Sequence, residues 1–257
     1  MTDAPPDLPE GCAHVHVAAV DGTNAEAMRR VLAGERGPAW ITADRQTAGR
    51  GRSGRSWASE PGNLFASYVT VVGCPPAQAG QLSLVAGVAA YDAIVRAGGV
   101  PGLRLKWPND ILIGTAKAGG ILIESTVRPG LAGTVAVIGV GLNLVSAPEG
   151  LGRAATFLAQ HGLKLSPHGA LCFLAQTMKD WMKTWDDGAG FVEVRAAWLD
   201  RAGAIGEPLT VNAADGPVPG RFAGLDDSGA LLLDSADGRQ LSFAFGDVTL
   251  DAQDEGA

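Results

Sequence analysis

The sequence predicts an α+β fold: a mixed, mostly antiparallel sheet with helices on one face, followed by a small barrel of the SH3-like kind. Three observations carry that prediction. Four apolar runs between residues 103 and 144 are joined by short Pro, Asn, Asp and Gly connections, which suit an antiparallel meander and leave no room for crossover helices. Two stretches, 167–185 and 191–201, space their apolar residues as amphipathic helices do. Beyond Gly203 about 50 residues hold five short strand-like runs and hairpin signals, the texture of a small barrel.

Taken in order, residues 1–12 are Pro-rich and acidic and are expected to fray. Residues 14–19 alternate weakly and read as a first strand. Thr23-Asn24-Ala25-Glu26 has the form of a capping box, which predicts a helix from about 24 to 33. A short apolar strand covers 39–43, and 45–57, with three Gly, four Arg and almost nothing apolar, is a loop. Residues 63–72 are β-rich. Over 77–97 Leu82, Val85, Ala89 and Ala93 fall on one helical face. The meander runs are 103–107, 111–113, 120–127 and 135–144. Those of the C-terminal region are 209–211, 221–223, 231–233, 241–245 and 248–250. Asp227-Ser228-Gly229 and Asp237-Gly238 are its hairpin signals. The expected organisation is a flexible segment over 1–12, a large domain over 13–203, and a barrel with a short acidic tail over 204–257.

Composition narrows the function. With 46% hydrophobic residues the chain is not disordered, and no apolar run is long enough to span a membrane. The N-terminus carries Asp3, Asp7 and Glu10 without a cation, unlike a secretory signal. Cys12, Cys74 and Cys172 are an odd number and lie far apart, fitting neither a disulfide framework nor a CxxC metal site. A soluble, reduced, cytoplasmic protein is expected. The charge is −7 overall, yet 45–117 holds eight Lys/Arg against three acids, a local +5. Such an acidic chain is not expected to bind DNA specifically, but a local anion site is another matter. His14 and His16 share a strand face without a carboxylate or Cys at a metal spacing, and read as an ordinary strand pair. Arg96 and Arg104 read as surface charges outside any site.

Four segments carry chemistry. The first is Gly49-Arg50-Gly51-Arg52-Ser53-Gly54-Arg55-Ser56-Trp57. Its guanidinium forks suit carboxylate and phosphate oxygens, and its glycines let bare backbone approach an anion. Unliganded, so many like charges repel, so the loop is expected to be mobile alone and to order around a polyanion. The second is Lys106-Trp107-Pro108-Asn109-Asp110, a strand end followed by a turn that presents an amide and a carboxylate. In the third, Lys117-Ala118-Gly119-Gly120-Ile121-Leu122-Ile123-Glu124, an ammonium projects where a ligand could lie on bare glycine backbone. The fourth, Gly139-Val140-Gly141-Leu142-Asn143, is not a dinucleotide fingerprint. It places the Asn143 amide at the end of a buried strand.

In this order and spacing, with Gly22-Thr23-Asn24 and Gln46 upstream, the four segments resemble the biotin protein ligases. With the barrel, the resemblance covers nearly the whole chain. It implies a catalytic domain like that of class II aminoacyl-tRNA synthetases. It implies a ligase that joins biotin to AMP from ATP, with Mg²⁺, and then transfers biotin to a lysine of a biotin carboxyl carrier protein. Carboxylate attack on the α-phosphate meets charge repulsion, which bridging cations remove. The resemblance implies that Gly22, Thr23, Asn24, Gln46, Gly49, Arg50, Gly51, Arg52, Lys117, Gly119 and Gly120 bind biotin, with Thr23 and Gln46 on the ureido group. ATP falls to Arg50, Arg52, Arg55, Trp57, Asn63, Lys106, Asn109 and Asn143, with Trp57 near adenine. Lys117, Arg52 and Asp110 are the catalytic candidates. Asp110 is also a candidate metal ligand, or it orients the acceptor lysine. Gly22 departs from the family, where Ser is usual, and lacks that hydroxyl.

Some relatives carry an N-terminal helix-turn-helix and act as repressors. The few residues before the first strand are too short for one, so no regulatory DNA binding is expected. Relatives also form homodimers, which this sequence leaves open. Besides an adenylate-binding regulator that has lost transfer activity, two alternatives remain. One is a lipoate protein ligase, whose loop usually reads Arg-Arg-x-x-Gly-Gly-Gly. The other is a non-enzymatic module that grips anions or nucleic acid through the Arg loop.

Overall fold

The computed structural model describes residues 7–150 and 154–250. Seven strands form one sheet: β1 (Ala13–Val20), β2 (Ala39–Gln46), β3 (Leu64–Val72), β4 (Leu103–Lys106), β5 (Asp110–Ile113), β6 (Ala116–Thr126) and β7 (Thr134–Leu142), in the order β1-β2-β3-β7-β6-β5-β4. Strands β4 to β7 make the expected antiparallel meander. The pair β1–β2 is parallel, so a crossover must join them, and α1 (Thr23–Leu32) supplies it.

That crossover corrects the expectation of helices on one face. Ala27 and Val31 of α1 pack with Ile41, Val69, Val135 and Val137. The helices α2 (Leu82–Arg96), α3 (Pro167–Trp185) and α4 (Phe191–Asp200) join a separate core that includes Trp40, Ala136, Ile138 and Val140. Neighbouring residues of a strand point to opposite sides. Val135 and Val137 therefore face α1, Ala136 and Ile138 face the other layer, and the sheet is buried on both faces. Helix α3 is N-capped by Ser166, whose side chain accepts from Gly169 N. Its Trp185 and Trp181 donate to Gln81 Oε1 and Asp92 Oδ2, as packed residues of an amphipathic helix.

The second sheet holds β8 (Pro208–Ala213), β9 (Gly216–Leu225), β10 (Leu231–Asp234), β11 (Gln240–Phe243) and β12 (Asp247–Leu250). They are antiparallel, in the order β11-β10-β9-β8-β12. This is the small SH3-like unit the sequence predicts. It is fastened to the large sheet by Trp107 Nε1 donating to Gly229 O at 3.1 Å and by Arg104 against Glu207 at 2.8 Å. Arg104 is therefore not a surface charge: both partners of that ion pair are largely buried.

The capping box does not form either. Gly22 is the N-cap of α1 and no side chain caps the helix. Glu26 turns instead to Arg29 and Arg30. The Thr23 hydroxyl, freed from the helix end, meets Gln46 Oε1 at 3.2 Å. His14 and His16 both contact Thr42 Oγ1, the strand pair expected. Of the segment expected to fray, residues 1–6 lie outside the described residues, as does the acidic tail beyond 250. Leu8 packs on the core and the Asp7 carbonyl accepts from Gln176. Among the described residues, no helix is long and apolar enough to cross a membrane.

Candidate active site

A cavity of about 560 Å³ opens where α1, the ends of β2 and β6, the Arg loop, the β4–β5 turn and β12 meet. One end is neutral and polar. Gln46 Oε1 accepts from the Thr23 backbone N–H at 2.8 Å and Gln46 Nε2 donates to Ser59 Oγ at 3.0 Å. Ser67 Oγ lies 2.8 Å from Thr23 Oγ1 and 2.6 Å from Asn24 Oδ1. Asn24 Nδ2 donates to Glu124 at 2.8 Å and to the Leu122 carbonyl at 3.2 Å. Gly139 has to be glycine here, because a Cβ would stand 2.4 Å from Asn24 Oδ1. Gly22 does not: a Cβ there would meet nothing closer than 3.8 Å. The position leaves open the space a serine would fill.

The other end is cationic. Lys106 Nζ is 3.0 Å from Asp110 Oδ2, and Lys117 Nζ contacts Asp110 Oδ1. Burial pushes the Asp110 carboxyl up, but the two lysines pull it down harder, and the net shift is downward. Lys106 also donates to the Val248 carbonyl at 2.7 Å. Asn109 Nδ2 is held by the Ile121 carbonyl at 2.7 Å. Trp57 lies over Gly120 and Gly141, where a Cβ would come within 3.0 and 2.7 Å of the ring. Lys117 Nζ sits 5.5 Å from the Trp57 ring centroid, a cation–π approach. Trp57 Nε1 is buried with no hydrogen-bond partner among the described residues, a donor left for a ligand acceptor.

The Arg loop closes on itself through Trp57 N to Gly49 O at 2.8 Å and Gly51 N to Arg55 O at 2.7 Å. Ser53 and Gly54, with φ of 55° and 72°, take a left-handed turn that sets Arg52 and Arg55 side by side. Both meet Asp247 of β12: Arg55 in direct contact, Arg52 at 3.6 Å. Arg52 also donates to Gly246 O at 3.1 Å. Asp247 is raised by burial and lowered further by Arg55 and Arg52, for a net downward shift. Asp247→Ala should loosen this loop. The pair is partly exposed, so the change is small, on the order of 0.5–1 kcal/mol. Tryptic cutting at Arg52 or Arg55 should rise a few-fold, and an unchanged cleavage rate would show that Asp247 does not hold the loop.

The fold thus brings Gly22, Thr23, Asn24, Gln46, Arg50, Gly51, Arg52, Arg55, Trp57, Lys106, Asn109, Asp110, Lys117 and Gly120 to one cavity wall. It does not bring Gly49, Asn63, Gly119 or Asn143 there. Asn63 Oδ1 accepts from the backbone of Leu144 and Val145 at 2.8 and 3.1 Å. Asn143 Nδ2 donates to the carbonyls of Thr156 and Lys117 at 3.0 and 3.4 Å. Both amides are spent on backbone, and Asn143 holds the strand that bears Lys117. Gly119 packs between strands, since a Cβ would meet Gly141 O at 2.8 Å. Asp110 is a poor metal ligand, because each of its oxygens faces an ammonium. Among the described residues, no three His, Cys, Asp or Glu cluster as a metal cage. Sequence reasoning missed Ser67 and Asp247, polar residues that carry no motif, and gave no role to Glu124, the last residue of its third segment.

The family described as "Biotin/lipoate A/B protein ligase family" matches residues 29–143, and "Biotin protein ligase C terminal domain" matches 204–251. A biotin--[acetyl-CoA-carboxylase] ligase of Paracoccus denitrificans is 38% identical over 88% of this chain and 95% of its own length. The chain belongs to the biotin protein ligase family. A second member, the biotin--[acetyl-CoA-carboxylase] ligase of Mycobacterium tuberculosis, is 34% identical over 90% of this chain and 86% of its own. The family likeness extends to three dimensions. A biotin protein ligase of Aquifex aeolicus, solved in complex with biotin and ATP, has a TM-score of 0.77 and 25% identity, covering 93% of this chain and 99% of that one.

Proposed function

We propose that this chain activates biotin with ATP as biotinyl-5′-AMP, releasing pyrophosphate, and transfers biotin to a lysine of a biotin carboxyl carrier domain. The observation that carries this reading is the division of one cavity into a neutral amide–hydroxyl end and a cationic end around Lys117. The ureido group meets Thr23 and Gln46, and the valerate carboxylate runs toward Lys117. Lys117 lies between that carboxylate and the α-phosphate, and with Lys106 and Arg52 it offsets the repulsion between two anions. Trp57 Nε1 is free to donate to the nucleotide, and Arg55 neutralises phosphate charge. Magnesium enters as the counter-ion of the triphosphate, and no step is assigned to it. The carrier belongs to a biotin-dependent carboxylase, and the reaction runs in the cytoplasm.

The test mixes the protein with biotin, Mg-ATP and a carrier domain and weighs the carrier by mass spectrometry. The carrier should gain the mass of biotin less one water, as an amide at one lysine, and lipoate in competition should not add. A carrier left at its starting mass, while a known ligase modifies it under the same conditions, refutes the proposal. Preferential addition of lipoate would select the lipoate ligase alternative. The nucleic-acid alternative predicts tight, strongly salt-dependent DNA binding instead.

A further inference from the structure

We infer that Phe245 is a docking point for the acceptor protein; the inference rests on the ligase reading above. Seven large apolar side chains stand exposed among the described residues: Leu32, Val95, Val127, Val145, Val192, Ile205 and Phe245. Single exposed apolar residues are ordinary. Phe245 differs in place and degree. It is the most exposed of the seven, at 84%, and it alone lies within two residues of one that lines the cavity, Asp247.

The local backbone explains how it comes to stand there. Residues 244–246 carry the chain from β11 to β12, the two outer strands of the small sheet. Gly246 turns at φ 148°, packed near Val211 and Trp107. Its carbonyl is held by Arg52 at 3.1 Å. The turn leaves Phe245 in solvent while Asp247 faces the cavity. Phe245 is therefore borne by the segment that touches the Arg loop, two residues along the chain from the rim of the opening at Asp247.

The acceptor lysine must reach a carbonyl bound deep beside Lys117, which is 9% exposed. Its side chain is short compared with a protein domain, so the acceptor backbone has to settle on that rim. An aromatic side chain there gains by being covered, and a central aromatic contact is the usual anchor of a protein interface. The partner surface that fits is apolar and flanks the acceptor lysine. Biotin and ATP, bound within the cavity, have no need of a side chain that points to solvent.

The test compares wild type, Phe245→Ser and Phe245→Leu in the full chain. Phe245→Ser should raise the KM for the carrier domain by ~10-fold, with formation of biotinyl-AMP in the absence of carrier unchanged. Phe245→Leu should restore most of the carrier KM. An unchanged carrier KM in Phe245→Ser overturns the docking site and leaves the ligase reading intact. Equal losses in adenylation and transfer also overturn it, since they would place Phe245 in the folding or chemistry of the cavity. If wild type makes no biotinyl-AMP at all, the ligase reading fails, and the docking site with it.

Discussion

Replacing Lys117 by alanine should slow formation of biotinyl-AMP by ~10²–10³, the loss expected when one preorganised cation is taken from a developing charge. Lys117 is buried and shares Asp110 with Lys106. Its removal therefore has two consequences that must be separated. The first is chemical: no ammonium remains between the carboxylate and the phosphate. The second is structural: Asp110 keeps its burial but loses the stronger of the two pulls that lower its pKa. Breaking a buried pair is costly, though Lys106 remains, so a loss of about 1–3 kcal/mol is expected. The sign of the pH effect follows. A depressed carboxyl stabilises the fold fully above its unfolded value, near 3.9, and that contribution disappears as pH falls through the lower folded value. In Lys117→Ala the gap narrows, so the acid limb should be shallower. Asp110 stays paired with Lys106, so Lys117→Met, which refills the buried volume without a charge, should recover stability in urea without recovering rate. If both recover together, the ammonium is not needed and the chemical role of Lys117 is misassigned.

What was legible in the sequence follows from range. The Lys106–Asp110 turn and the Lys117–Glu124 strand start are local patterns, and the whole of the first and Lys117 with 120–122 of the second line the cavity. Periodicity says which residues of a helix are buried but not which side of a sheet buries them, so the expectation of helices on one face fails at α1. Thr23 shows two local rules in competition. Its position fits a capping box, but its hydroxyl is taken by Gln46 and Ser67. The resemblance gives Asn63 and Asn143 to ATP, yet nearby backbone donors and acceptors occupy their amides. Asp247 lies 192 residues from Arg55, and no composition or spacing argument joins residues that far apart. That contact is a product of how the small sheet sits on the large one. The loop's partners in this structure therefore include a carboxylate that its charge alone could not have named.

Arg52→Gly should release the adenylate into solvent. Arg52 ties the loop to three places: Gly246 O at 3.1 Å, Asn109 Oδ1 at 3.4 Å and Asp247 at 3.6 Å. Its guanidinium fork can hold such partners together, which a single ammonium cannot. Hydrogen bonds to charged groups contribute about 1.5–3 kcal/mol each. Losing the set, and adding a further glycine between Gly51 and Ser53, should speed escape of biotinyl-AMP by ~10–10²-fold. Arg55 and Lys117 remain, so adenylate formation itself should fall by no more than about tenfold. The readout is biotin on bystander proteins that carry no acceptor domain, together with free biotinyl-AMP in the medium. Arg52→Lys separates charge from shape: it keeps the cation but not the fork, and should leak to an intermediate degree. If Arg52→Lys leaks as little as wild type, charge alone retains the adenylate. If Arg52→Gly does not leak, the cavity is closed by Trp57 over Gly120 and Gly141, and the arginine loop serves only the phosphates.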